Sequence, residues 1–131
     1  MNKILKRVMV FGVFDGLHEG HGYFLSEAAK HGDELIAVVA RDEMVRALKN
    51  KTPRHTEGER RQAVARAVAV TRAVLGDREQ GVYDVIKKDK PDIICIGYDQ
   101  HALAEDLEKQ MAREEIPNTQ LMWLKLHGGE R

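Results

Sequence analysis

The sequence predicts an α/β protein: a single Rossmann-like, doubly wound parallel sheet of about five strands flanked by helices. Three observations carry that expectation. Short runs that are apolar at every position recur at Val8–Phe11, Leu35–Ala40 and Ile93–Ile96, as expected of parallel strands covered on both faces. Segments with apolar residues at helical spacing separate these runs, and such alternation builds a parallel sheet. At the first junction stands a glycine-rich turn, Gly12-Val13-Phe14-Asp15-Gly16-Leu17-His18-Glu19-Gly20-His21.

Each element has its own reason. After the first run, Tyr23, Phe24, Leu25, Ala28 and Ala29 recur at helical spacing, and His31-Gly32-Asp33 supplies a glycine stop. Leu35–Ala40 then closes a strand-helix-strand unit, for which a right-handed crossover is expected. Met44, Val45 and Leu48 suggest one or two helical turns, and Pro53 with its polar neighbours makes Lys49 to His55 a loop. Thr56 with Glu59 reads as a capping box opening a helix through Ala63, Val64, Ala67 and Val68. Ala73-Val74-Leu75 is a short strand closed by Gly76-Asp77, and Val82, Val85 and Ile86 mark a short helix that ends before Pro91. The buried run Ile93–Ile96 leads into Gly97-Tyr98-Asp99-Gln100. A helix follows with Leu103, Leu107 and Met111 four residues apart, and Leu121-Met122-Trp123-Leu124 gives the last strand.

With 131 residues, the chain is sized for one domain spanning 1–131. Twenty-one basic residues balance twenty-one acidic ones. There is then no global field to favour nucleic acid or an anionic membrane, so neither is expected as a partner and any anion site must be local. The one cysteine, Cys95, lies inside an apolar run and reads as a packed thiol. No apolar stretch approaches the roughly 18–20 residues of a membrane span, and the amino terminus lacks a signal-peptide pattern. A cytoplasmic location is expected.

The glycine-histidine turn carries the chemistry. Glycine lets the backbone approach a ligand closely, and a helix N-terminus offers unpaired N–H groups to anions. The glycines at 12, 16, 20 and 22 do not give the dinucleotide fingerprint, and no Gly-Lys-Ser/Thr closes a P-loop. Zinc needs three or four close ligands, whereas this turn offers two histidines and the cysteine lies mid-strand. What remains is a pair of imidazoles beside helix N–H groups, suited to phosphate oxygens. Phosphoryl-type transfer asks a protein mainly to align the oxygens and stabilise charge. Arg60 and Arg61 stand in the first turn of a helix, where the dipole disfavours cations by about 0.3–1 kcal/mol, which is compatible with a task facing an anion.

Val13-Phe14-Asp15 with His18-Glu19-Gly20-His21 resembles the signature of the HxGH nucleotidyltransferases, the superfamily of cytidylyltransferases, adenylyltransferases and class I aminoacyl-tRNA synthetases. Among its small stand-alone domains the chain is similar to glycerol-3-phosphate cytidylyltransferases and, nearer still, to archaeal-type FAD synthases. Val39-Ala40-Arg41-Asp42-Glu43, Leu75-Gly76 and Lys90-Pro91-Asp92-Ile93-Ile94 running into Gly97-Tyr98-Asp99-Gln100 support the nearer relation. The resemblance covers residues 7 to 124.

It implies that His18 and His21 hold the nucleotide phosphates, with Glu19 and Gly20 in the same nucleotide-binding motif. Val13 and Phe14 would line the nucleotide with backbone groups, and Asp99 would contact it from the facing strand end. Lys49 and Lys51 match a basic loop that approaches the triphosphate or the acceptor phosphate, and Arg60 matches an arginine near the start of the next helix. Lys49 and Lys51 also read simply as solvated lysines of a loop. The family's Ser/Thr-rich phosphate motif does not precede Arg131, which leaves open truncation, donors from a partner or weaker closure. Thr71 stands where relatives often carry aspartate. The implied reaction is transfer of AMP or CMP to a phosphorylated acceptor with release of pyrophosphate. ATP with FMN leads, and CTP with glycerol 3-phosphate follows. Magnesium on the triphosphate and a homodimer are also implied, with a non-catalytic nucleotide-binding module as the alternative class.

Overall fold

A computed structural model describes residues 5–17 and 19–125. Five strands, β1 (Arg7–Gly12), β2 (Glu34–Val39), β3 (Arg72–Leu75), β4 (Ile93–Ile96) and β5 (Gln120–Trp123), form one sheet in the order β3-β2-β1-β4-β5. Every pairing is parallel. The helices are α1 (Glu19–Ala29), α2 (Asp42–Lys49), α3 (Glu57–Ala65), α4 (Asp84–Asp89) and α5 (His101–Ala112). The expected α/β, Rossmann-like class is the observed one.

The all-apolar strands work because helices cover both faces. Val8 and Val10 point into a layer with Leu25 and Ala28 of α1 and Val64 of α3, whereas Met9 and Ile94 join Ile86 of α4 with Ala104 and Leu107 of α5. Each fully buried Val, Leu, Ile or Met among them contributes roughly 1.5–3 kcal/mol through apolar burial. Cys95 is completely buried, and that burial pushes its thiol up to about 11, so it packs as an inert small hydrophobe.

The capping box is formed: Glu59 N–H donates to Thr56 Oγ1 at 3.1 Å, and Thr56 N–H donates to Glu59 Oε1 at 2.9 Å. The helix it opens ends at Ala65, short of the expected Val68. Tertiary demand overrides the helix preference of these residues. The chain must turn back to reach β3, where Thr71 exchanges bonds with Leu35: its N–H donates to the Leu35 carbonyl, and its hydroxyl accepts the Leu35 N–H, both at 2.9 Å. Ala67 still packs on the core, while Val68 is left fully exposed. Thr71 thus pins the start of β2.

Strand order reverses between β1 and β4. In open α/β sheets, ligands bind beyond the carboxyl ends of the strands at that point. Among the described residues, no helix is long and apolar enough to cross a membrane.

Candidate active site

The carboxyl ends of β1 and β4 are tied by one side chain. Gln100 Nε2 donates to the Phe11 carbonyl at 2.8 Å, and Gln100 Oε1 accepts the Gly97 N–H at 2.8 Å. Asp99 lies exposed on the β4 side, with Oδ1 3.5 Å from where a Cβ on Gly97 would sit. Sequence reasoning singled out Asp99 and overlooked Gln100, whose partner lies 89 residues away.

On the β1 side the turn is held by its aromatic residue. Phe14 adopts φ 54°, a left-handed conformation that costs a bulky residue about 1–3 kcal/mol, and the residue is only 3% exposed. Burial of the ring offsets the strain. The ring lies where a Cβ on Gly12 would be, 2.7 Å from that position, and meets the His21 imidazole edge-on at 5.5 Å between centroids. Glycine at 12 makes room for Phe14, and Phe14 in turn backs His21. Gly12→Ala is expected to cost about 1–3 kcal/mol of stability by overpacking, measured by chemical denaturation; a loss under about 0.5 kcal/mol would contradict the packing account. His21 occupies the first turn of α1. His18 lies outside the described residues, as does the side chain of Glu19, and Gly20 belongs to the α1 backbone.

Asp15 joins this turn to the loop before α3. Its carboxylate accepts the N–H of Arg54 at 2.7 Å, the N–H of His55 at 3.0 Å, and pairs with His55 Nδ1 at 3.0 Å. The Arg54 N–H leads in lowering its pKa to about 2, with help from His55, against partial burial. A carboxyl depressed in the fold stabilises it above the unfolded value of 3.8, and that contribution disappears as pH falls through about 2. Thermal melting from pH 5 to 2 is expected to be flatter for Asp15→Asn than for the wild type; parallel profiles would contradict the clasp.

Arg60 is the buried knot of the site. Its residue is 1% exposed, and its guanidinium donates to the Ala40 carbonyl at 2.7 Å, the Val13 carbonyl at 2.9 Å, the His55 carbonyl at 3.0 Å and Asp42 Oδ1 at 2.6 Å. Burial pushes the Asp42 carboxyl up, but the Arg60 hydrogen bond, the Glu57 backbone N–H and the charges of Arg60 and Arg46 together hold the group below its ordinary value. The cation that sequence reasoning turned toward a bound anion is here turned onto the chain itself. Its neighbours are the β1 turn, the end of β2 and the cap of α3. Lys49 closes α2 and Lys51 follows the left-handed Asn50, both exposed, and the ammonium of neither forms a hydrogen bond or ion pair with another described residue.

Beside the turn, across the carboxyl ends of β1, β2 and β3, lies a cavity of about 160 Å³ lined by Phe11, Gly12, Val38, Met44, Leu48 and Tyr83, among others. Tyr83 meets Phe11 edge-on at 6.0 Å and donates its hydroxyl to Asp106 at 2.7 Å; burial, then Asp106, raises the phenol pKa. This wall was not legible in sequence, because its aromatic residues come from β1 and the loop before α4.

A switch-point crevice floored by a glycine-histidine turn defines a nucleotide-handling α/β domain. The family model described as Cytidylyltransferase-like matches residues 9–124, and the chain belongs to that family. FAD synthase of Aciduliprofundum boonei is 44% identical over 122 residues, covering 93% of this chain and 80% of the relative. FAD synthase of Methanosarcina mazei is 40% identical over 114 residues, covering 87% and 74%. The crystal structure of a lipopolysaccharide core biosynthesis protein from Thermoplasma volcanium superposes with a TM-score of 0.84 at 36% identity, covering 93% of this chain and 98% of that one.

Proposed function

We propose that this protein is an FMN adenylyltransferase, that is, an FAD synthase. The observation that carries the reading is the glycine-histidine turn at the sheet's switch point, in a chain whose FAD synthase relatives align over most of its length. A phosphate oxygen of FMN attacks the α-phosphorus of ATP, the bond between the α-phosphorus and the bridging oxygen to the β-phosphorus breaks, and pyrophosphate leaves. FAD and pyrophosphate account for all atoms, and no protein nucleophile is required.

In this reading His18 and His21 stabilise charge on the transferring phosphate, and Lys49 or Lys51 balances the leaving pyrophosphate or the acceptor. Asp99 and the backbone of Val13 and Phe14 hold the nucleotide, with Glu19 and Gly20 in the same motif. Arg60 contributes by fixing the Val13 carbonyl and the loop of His55, as its buried hydrogen bonds support. The apolar cavity of Phe11, Met44, Leu48 and Tyr83 favours a flat aromatic acceptor such as the flavin over glycerol 3-phosphate.

Among the described residues, no group of three or more His, Cys, Asp or Glu is arranged to hold a metal. Magnesium is read as part of the substrate, carried on the triphosphate oxygens, where it neutralises phosphate charge, because such ions bind through substrate oxygens and few carboxylates. A two-fold homodimer in the cytoplasm completes the reading, in keeping with the prevalence of such assemblies; light scattering of the purified chain tests the dimer.

The test is a panel: magnesium with ATP or CTP, each paired with FMN or glycerol 3-phosphate, with pyrophosphate measured. Release is expected with ATP and FMN alone. Release only with CTP and glycerol 3-phosphate would assign the other substrate pair. Nucleotide binding with no release in any pairing would mark a non-catalytic module.

A further inference from the structure

The stretch from within α2 to the cap of α3 carries more than the two lysines. From Met44 to Thr56 the sequence holds Arg46, Lys49, Lys51 and Arg54 and no acidic residue, in a chain whose net charge is zero. Of these cations, Arg54 is the one the structure brings onto the turn. Its Nη2 lies 2.9 Å from where a Cβ on Gly16 would sit, so the guanidinium rests against the bare face of that glycine. Gly16 has φ 76°, which a side chain would strain, and a side chain there would also displace Arg54.

The placement is built from below. Asp15, the residue before Gly16, accepts the backbone N–H groups of both Arg54 and His55 and pairs with the His55 ring, so the loop is clasped to the turn at its base. The Arg54 side chain is left exposed, and its guanidinium forms no hydrogen bond or ion pair with another described residue. An exposed arginine fixed by its backbone, over the glycine turn that leads into α1 and His21, has the geometry and charge for forked hydrogen bonds to phosphate.

We propose that Arg54 is a further phosphate-binding residue of this site, with Asp15 as its positioning residue. It takes either the outer phosphates of the nucleoside triphosphate or the phosphate monoester of the acceptor. The choice of these two ligands rests on the adenylyl-transfer reading above.

Titration calorimetry of the full chain with inorganic tripolyphosphate in one arm and FMN in the other separates the two sources. Arg54→Gln is expected to weaken one of them about tenfold, the size of a lost charge-assisted hydrogen bond. Asp15→Asn should weaken the same ligand by a smaller factor. Arg113→Gln, an equal charge change on the exposed end of α5, should leave both unchanged. Wild-type affinity of Arg54→Gln for both ligands would overturn the proposal, as would equal weakening by Arg113→Gln or no binding of either ligand to the wild type. FAD formation measured in parallel keeps the two readings apart. Activity in the wild type with unaltered binding by Arg54→Gln removes only the Arg54 assignment. Weakened tripolyphosphate binding without FAD formation in the wild type removes only the adenylyl-transfer reading.

Discussion

Arg60→Met is expected to lower the unfolding free energy by about 3 kcal/mol, at the lower end of the range for breaking a buried ion pair from one side. The lower end applies because the Asp42 side chain keeps 26% of its exposure and can recruit water. Three carbonyl oxygens, those of Val13, Ala40 and His55, lose their donor at the same time. Lysine should recover only part of the loss, since one ammonium cannot spread its donors as the planar guanidinium does. Chemical denaturation measures both variants. A loss under about 1 kcal/mol for Arg60→Met, or full recovery by Arg60→Lys, would contradict the knot. The effect should also reach the site, because the same arginine fixes the first turn and the loop clasped by Asp15.

His21→Ala is expected to lower kcat for FAD formation by about 10²–10³, the typical loss for one donor aimed at transition-state charge. KM should move much less, since an interaction made chiefly in the transition state appears in kcat. The imidazole is only partly buried, so the fold should survive, with the edge contact to Phe14 among the interactions lost. The same size of loss is expected of His18→Ala, as the second imidazole of the pair. Steady-state kinetics beside a thermal melt separate chemistry from folding. A kcat within fivefold of wild type in a folded His21→Ala protein would remove the histidine from the reaction.

Much of the architecture was legible because parallel strands buried on both faces leave an unmistakable mark: Val8–Phe11 and Ile93–Ile96 carry no polar residue, and both lie central in the sheet. The capping box was equally plain, being a contact between residues three apart. The end of α3 was not, since the alanines that favour helix say nothing of how soon the chain must turn toward Leu35. Arg60 was visible as an anomaly, a cation in a helix first turn. Its acceptors, however, lie 5, 18, 20 and 47 residues away, and no local pattern announces them. Asp15 stood within the motif without a role, because its partners lie 39 and 40 residues on. Gln100 and the Phe11–Tyr83 wall were hidden for the same reason: side-chain contacts across a sheet edge depend on strand order, which sequence spacing does not encode.

The central claim is that this turn transfers a nucleotidyl group from ATP to FMN. ATP labelled with ³²P at the α-phosphorus tests it directly when incubated with magnesium, FMN and the full chain. The account predicts the label in FAD, one unlabelled pyrophosphate per FAD, and loss of that transfer in His21→Ala. Label remaining in ATP, or recovered as AMP or ADP while FMN is unchanged, would contradict it.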